Sequence, residues 1–403
     1  MRILMVSDVF FPRVNGVSTS IETFRQDLAS LGARVTLLVP QYPRGRADVA
    51  RDPDVIRIPS RAVPRDPEDR LMHWSALTRW AAQVKAEDVD IIHVQTPFIA
   101  HYIGRRLSRR IGAPLVESYH TYFEHYFHHY VPALPAMLTR ALARRLTVAQ
   151  CHDAQTIISP SRQMAEALRG YGVRTPIEVV PTGLPVACFA SGDRLRFRQL
   201  HNIAPERPLA LFVGRVAHEK NIDFLLRMMV RLRASVPEVL LVIAGEGPAD
   251  AHLRRMVSEL GLQQQVLFVG YLDRATALLE AYRAADVFVF ASRTETQGLV
   301  LLEAMAQGTP VVSTAVMGTE DVLAGAKGAL VVPEDESLFA AAVTQVLCEP
   351  ALRQELSSQA LVDAGRWTSR HMAERLLRIY ERTIEAENTT RPAPLVSSNG
   401  VMP

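Results

Sequence analysis

The chain has 403 residues, too many for one ordinary core, and predicts two domains of about 150 to 200 residues each. Hydrophobic residues make up 48% and charged residues 22%, which excludes global disorder, and no apolar run reaches the roughly 18 residues a membrane span requires. The net charge is a modest +3, and only three of the 45 basic residues are lysines (Lys85, Lys220 and Lys327), so the abundant arginine reads as coding bias rather than as a nucleic-acid signal.

Residues 2 to 9 form an apolar run that reads as a first β-strand. It lacks the small-residue cleavage site of a secretory leader, which predicts a cytoplasmic protein. A helix over VNGVSTSIETFRQDLASLGA and a strand at VTLLVP follow. The Pro- and Arg-rich passage from Gln41 to Arg70 reads as loops around a short strand at Val55 to Ile58. Next come a helix over 75–86, a strand at DIIHVQ, a helix to Arg110 and a strand at PLVESYH. A helix over 134–153 then precedes strands at TIISPS and IEVVPTG. Strand, helix, strand at this spacing is the βα pattern of a parallel sheet.

The pattern restarts after Phe189, where LALFVGRV, VLLVIAGEG, VLFVGYL, DVFVFAS, TPVVSTA and GALVVP are six strand candidates with helices between them. Each is apolar nearly throughout, as strands covered on both faces are. The expected division is a Rossmann-like domain over 1–188, a second over 189–368, a helix over 369–386 and a flexible tail over 387–403. The junction falls near 185–205, with the polar stretch from Ser191 to Arg207 as linker. Ligands of such sheets bind beyond the C-terminal strand ends, so residues that directly follow strands are the candidates.

Gly16, at a helix start after the first strand, allows close backbone approach to an anion, or simply a tight turn. There is no G-x-G-x-x-G. In GRVAHEK, Arg215 and Lys220 come off a strand end five positions apart and suit a diphosphate, Arg through its fork and Lys as a point charge. The alternative is a pair of solvated charges, and Glu219 and His218 read as surface groups. In AGEGP, Gly245 and Gly247 permit a turn beneath a flat ligand, with Glu246 exposed. His120 follows PLVESY and can exchange a proton or hydrogen-bond a sugar hydroxyl, unless it is a structural histidine. His125, His128 and His129 have metal-like spacing but no accompanying H-E-x-x-H, and the three scattered cysteines offer neither a disulfide framework nor a metal knuckle, so no metal site is expected.

The runs RRLSRR (105–110) and RALARR (140–145), beside an aromatic-rich segment, predict a basic and aromatic surface suited to anionic lipid, against the plainer reading of solvated helix faces. In RTETQGLVLLEAMAQGTP, Glu295 again follows a strand. Gln297, Gly298 and Leu299 open a helix whose free amides can hold phosphate. Glu303 lies inside that apolar helix, where a buried carboxylate needs a partner, and paired ribose hydroxyls are good donors to one.

GRVAHEK, AGEGP and ETQGLVLLEAMAQGTPVV, behind an N-terminal NGV and a central HT, resemble the retaining glycosyltransferases of family 4, of the two-Rossmann-domain GT-B class. The likeness runs to about residue 385 and is most specific in the E-x7-E element of Glu295 and Glu303. The wording of TETQGLVLLEAMAQG, SYHTYFEHY and VVPTG is nearest to bacterial diacylglycerol glucosyltransferases and related glycolipid enzymes. The resemblance implies two α/β domains facing across a cleft, an acceptor-binding first domain, a donor-binding second one and a C-terminal helix returning to the first. It implies that Gly16 approaches the donor phosphate or sugar and that His120 contacts the sugar's 6-hydroxyl and the reacting centre. Arg215 and Lys220 would neutralise the diphosphate, Glu295 with the amides near Gly298 to Val300 would bind the 3-hydroxyl region, and Glu303 would hold the ribose. Gly245 and Glu246 join this donor set as the turn beside it. No tightly bound cofactor or metal is implied, and the favoured donor is a UDP-hexose. One departure is HVQTP, where relatives often carry a second histidine at the position of Gln95.

The leading expectation is therefore a hexosyltransferase, glucose favoured, acting on a membrane lipid such as diacylglycerol by front-face transfer, as a monomer or weak dimer peripheral to the inner membrane face. A family-4 enzyme with a soluble phosphosugar, cyclitol or polysaccharide acceptor is the alternative within the class. A non-catalytic nucleotide-sugar-binding protein is the alternative outside it. No nucleic-acid partner is expected.

Overall fold

A computed structural model describes residues 1–43, 52–63, 66–120 and 136–390. The first domain is built on a seven-stranded sheet ordered β3-β2-β1-β6-β7-β8-β9. Its strands are β1 (Arg2–Val6), β2 (Arg34–Pro40), β3 (Val55–Ile58), β6 (Ile91–Val94), β7 (Leu115–Ser118), β8 (Thr156–Ser159) and β9 (Ile177–Val179). All pair in parallel. The second sheet, β12-β11-β10-β13-β14-β15, comprises β10 (Leu209–Val213), β11 (Leu240–Ala244), β12 (Val266–Gly270), β13 (Val287–Phe290), β14 (Val311–Ser313) and β15 (Ala329–Val331), again all parallel. The strands are apolar runs because helices cover both faces, and most of their side chains are buried.

Two segments differ from the sequence-based expectation. Within the Pro- and Arg-rich passage, β4 (Ser60–Val63) and β5 (Asp66–Met72) form an antiparallel ribbon apart from both sheets. The ribbon has no apolar alternation to betray it, and it is held in part by Arg70, whose Nη2 donates to Ser60 O at 2.9 Å. The stretch from Ser191 to Arg207 is not an extended linker either. It contains the helix Arg194–Leu200, N-capped by Asp193 and anchored by Arg198, which is 1% exposed. The Arg198 guanidinium donates to the carbonyls of Ala204, Pro205, Arg207 and Ala284 and to Asp286 Oδ2, so a residue that reads as polar filler is a buried bracket of the second domain.

The helix Ser369–Thr390 extends four residues past the expected end and crosses back to the first domain. Its Met372, Ala373, Leu376, Ile379 and Tyr380 are buried in the same cluster as Ile3, Met5, Ile21 and Phe24 of the first domain. The crossing is tight: Leu184 N donates to Trp367 O at 2.7 Å and Ser369 N to Leu184 O at 2.8 Å. A Cβ on Gly183 would stand 2.6 Å from the backbone of Ser369, so the two crossing strands of chain require glycine there.

Candidate active site

In the second sheet β10 and β13 are neighbours, although β11 and β12 lie between them in sequence. The chain leaves these two strands in opposite lateral directions, which opens a crevice at their C-terminal ends. The turn after β10 carries Arg215 and Lys220, and the loop after β13 carries Glu295. Lys220 Nζ donates to Glu295 Oε1, so residues 75 apart form one half-buried ion pair across the crevice. Arg215 is exposed and has no ion pair among the described residues.

Gly245, at the end of β11, adopts φ +135° and approaches the turn after β10 so closely that a Cβ would overlap Gly214 O. Val216 N donates to Glu246 O at 2.9 Å, locking the two turns together, while the Glu246 side chain is exposed. The glycine is thus required by the protein's own packing, whatever lies above it. Gly298 has φ +82° and caps the helix Leu299–Ala306, and its own Cβ would meet Thr319 Cγ2 at 2.7 Å. No side chain caps that helix start, so the amides of Leu299 and Val300 have no side-chain acceptor.

Glu303 is 5% exposed inside this helix, and its partners are side chains that sequence reading missed. Oε1 is ion-paired with the Arg274 guanidinium, and Oε2 accepts the Tyr282 hydroxyl at 2.8 Å. Burial first, and then the Glu303 charge, hold Tyr282 well above the ordinary phenol range, so it stays a neutral donor. The two carboxylates of the E-x7-E element therefore do not share a partner: Glu295 belongs with Lys220, Glu303 with Arg274 and Tyr282. Arg274 and Tyr282 could have been sought after β12 and on the following helix, but their spacing to Glu303 carries no motif.

Gln297, in the same element, performs a different task. Its Oε1 accepts Thr182 N at 2.8 Å and its Nε2 donates to Thr182 O at 2.7 Å, while Thr182 Oγ1 donates to Ser20 Oγ at 2.7 Å. This clasp links the second domain to the chain crossing and to the first helix of the first domain. Arg162 Nε donates to Asp321 Oδ1 at 2.8 Å as a second link between the domains.

In the first domain His120 lies two residues beyond β7, and Gln95 one residue beyond the neighbouring β6. His120 Nε2 donates to Gln95 Oε1 at 3.0 Å, which leaves Nδ1 as the acceptor of a neutral ring. Burial lowers the His120 pKa to about 4, so the ring is neutral at physiological pH. Behind it His93, pushed down by burial to about 3, lies 2.8 Å from Ser118 Oγ and 2.5 Å from the Tyr380 hydroxyl of the returning helix. Asp8, beyond β1, is buried and raised by that burial to about 6, and it accepts from Thr96 Oγ1 at 2.8 Å. Gly16 is the first residue of a helix capped by Asn15, whose Oδ1 accepts Ser18 N at 2.8 Å. Nothing lies within 4 Å of where its Cβ would be, so the space beside it is open.

The basic surface expected of the first domain is less free than the sequence suggests. Arg105 Nε is 2.9 Å from Asp153, Arg109 is 3.4 Å from the same carboxylate, and Arg110 donates to backbone carbonyls at residues 81, 82 and 84. Arg106 and Arg145 remain exposed on the helices Ile99–Ile111 and Ala136–Cys151, as do the apolar side chains of Tyr102, Leu142 and Leu146 on them and of Phe98 just before the first. His125, His128 and His129 lie outside the described residues. Among the described residues no helix is long and apolar enough to cross a membrane.

Two parallel sheets facing across a cleft, each presenting polar groups at its strand ends, with a C-terminal helix returned to the first domain, define a GT-B glycosyltransferase. Residues 14–187 match "Glycosyltransferase Family 4" and residues 193–362 match "Glycosyl transferases group 1". The chain belongs to glycosyltransferase family 4, hexosyltransferases that pass a sugar from a nucleotide-sugar donor to an acceptor. It is 32% identical over 321 residues, 78% of this chain and 71% of the relative, to alpha-monoglucosyldiacylglycerol synthase of Streptococcus pneumoniae. It is 31% identical over 415 residues, 96% of this chain and 89% of the relative, to D-inositol 3-phosphate glycosyltransferase of Acidothermus cellulolyticus. Its fold is similar to that of Anabaena HepE in complex with UDP-glucose, with TM-score 0.75 and 17% identity over 95% of this chain and 100% of that one.

Proposed function

We propose that the enzyme transfers a hexose, glucose in the favoured case, from a UDP-sugar to a membrane lipid such as diacylglycerol, with retention of anomeric configuration. The donor half of this reading is supported by the crevice between β10 and β13, where Arg215, Lys220, Glu295 and an uncapped helix start converge. In this reading residues 189–368 bind the donor and 1–188 the acceptor. Arg215, Lys220 and the amides of Leu299 and Val300 hold the diphosphate, beside the turn of Gly245 and Glu246. Glu295 exchanges its bond to Lys220 for the sugar's 3-hydroxyl region. Glu303 accepts the ribose hydroxyls after Arg274 swings aside, while Tyr282 fixes the carboxylate from behind. Gly16 leaves room for the donor, and His120 meets the sugar's 6-hydroxyl.

Transfer proceeds on one face. The bond from the anomeric carbon to the diphosphate oxygen breaks, and the diphosphate leaves with the electron pair, stabilised by the cations and helix-start amides. The acceptor oxygen bonds the same carbon, and its proton passes to a diphosphate oxygen. Closing the domains over the donor keeps out water and limits its hydrolysis.

The observation that carries the lipid acceptor is the pairing of exposed apolar and basic side chains on two first-domain helices. Leu142 and Leu146 are 41% and 38% exposed beside Arg145, and Phe98 and Tyr102 are 38% and 48% exposed near Arg106. Such a surface suits a peripheral protein at an anionic inner membrane face. The name of the pneumococcal relative agrees with this acceptor. The Acidothermus relative, matched over nearly the whole chain, favours the second reading, a soluble cyclitol phosphate. Incubating the enzyme with UDP-glucose or a GDP-hexose, and with either diacylglycerol in anionic vesicles or inositol phosphate, separates these by product mass. A glucosylated lipid from the UDP arm is expected. A product formed only with the soluble acceptor refutes the lipid assignment.

A further inference from the structure

Beside the donor crevice, three potential metal ligands of the second domain converge from the turn after β10 and from two helices. His218 stands in the turn after β10, Asp223 in the first turn of the helix Ile222–Ser235, and His252 on the helix Asp250–Glu259. His252 Nε2 lies 3.3 Å from Asp223 Oδ1, the His218 and His252 rings are 5.4 Å apart, and one ligand atom from each of the three residues falls within 4.8 Å of the others. At bond lengths of about 2.0–2.2 Å, tetrahedral ligands stand about 3.4 Å apart, so small side-chain rotations bring this set onto one ion. His218 is exposed and the other two are half-buried, which leaves a path for the ion and its remaining water ligands.

We propose that His218, Asp223 and His252 form an exchangeable site for a borderline divalent transition ion such as Zn²⁺, beside the donor crevice. Two imidazoles and one carboxylate select Zn²⁺, Co²⁺ or Ni²⁺ over Mg²⁺, which prefers all-oxygen shells and dehydrates reluctantly. With only three protein ligands, one of them exposed, the ion is not a resident cofactor. Its occupancy has a structural consequence, because His218 is two residues from Lys220. Bonding His218 to His252 and Asp223 staples the Lys220 turn to the helices Ile222–Ser235 and Asp250–Glu259.

Co²⁺ titration of the full-length protein, read by visible d–d absorption and equilibrium dialysis, tests the site directly. The histidine-rich run at 125–129 can contribute its own signal, so the decisive quantity is a difference in stoichiometry. The variant His218→Ala/His252→Ala is expected to bind one Co²⁺ fewer than the parent protein, with an unchanged far-UV circular dichroism spectrum. Excess Zn²⁺, but not Mg²⁺, is expected to displace that ion. Equal stoichiometry in parent and variant overturns the proposal, as does a parent protein that binds no Co²⁺. If the double variant fails to fold, Asp223→Asn, which keeps the size of the side chain, is expected to weaken the same binding event, and undiminished affinity overturns the assignment.

Discussion

Replacing Glu303 with Gln isolates the charge that the ribose assignment depends on. The carboxylate is buried, ion-paired to Arg274 through one oxygen and hydrogen-bonded to Tyr282 through the other at 2.8 Å. Gln keeps an acceptor for the Tyr282 hydroxyl and nearly the same volume, whereas Ala would strand a buried phenol and confuse binding with folding. Hydrogen bonds to a charged acceptor contribute about 1.5–3 kcal/mol, so losing the charge against ribose hydroxyls is expected to weaken UDP binding by roughly 10- to 150-fold. Calorimetric titration of UDP into Glu303→Gln measures this, with thermal unfolding as the check that the variant is folded. Binding within twofold of the parent by a folded Glu303→Gln refutes the ribose role. It would leave Glu303 as the structural partner of Arg274 alone.

Three further outcomes follow from other parts of the molecule. Gly16→Ala meets no protein atom and replaces glycine at a helix start, so stability is expected to hold or rise while donor turnover falls; unchanged turnover contradicts a donor passing beside it. Arg198→Met removes the bonds to four carbonyls and one of the partners of Asp286, which keeps Arg194 and Leu209 N; leaving the buried carbonyls without a donor is expected to cost about 3–5 kcal/mol in urea unfolding, and a loss below about 1 kcal/mol contradicts the bracket role. For pH, His93 at about 3 and His120 at about 4 take up protons on unfolding as pH falls below about 6.5, so each withdraws stability, whereas Asp8 at about 6 binds its proton in the folded state and returns some. From pH 7 to pH 5 the histidines remove about 2 kcal/mol each and Asp8 returns about 1, a net loss of roughly 2–3 kcal/mol, and a flat or rising unfolding free energy contradicts the burial of these rings.

The thirteen strands of the two sheets were legible because parallel strands buried on both faces are continuous apolar runs. Since function collects at their C-terminal ends, Arg215, Lys220, Gly245, Glu295 and His120 could be picked out by position alone. What sequence could not show is which groups meet. The Lys220–Glu295 pair exists because β10 and β13 are neighbours, and nothing in the residues between them announces that order. Arg274 and Tyr282 reach Glu303 from 29 and 21 residues earlier in the chain, with no spacing rule to mark them. Gln297 sits within the most telling motif, yet it clasps Thr182 at the chain crossing. Arg198 and the β4–β5 ribbon were hidden for another reason: their polar composition is that of a loop, and only long-range hydrogen bonds give them structure.

The most direct test of the account is the anomeric configuration of the product. Purified enzyme supplied with UDP-α-glucose and diacylglycerol vesicles is expected to release UDP and form an α-glucosyl lipid, assigned from the anomeric proton coupling in the NMR spectrum of the extracted product. A β-glucosyl product would contradict front-face transfer, and UDP release without any glucosylated lipid would contradict the acceptor.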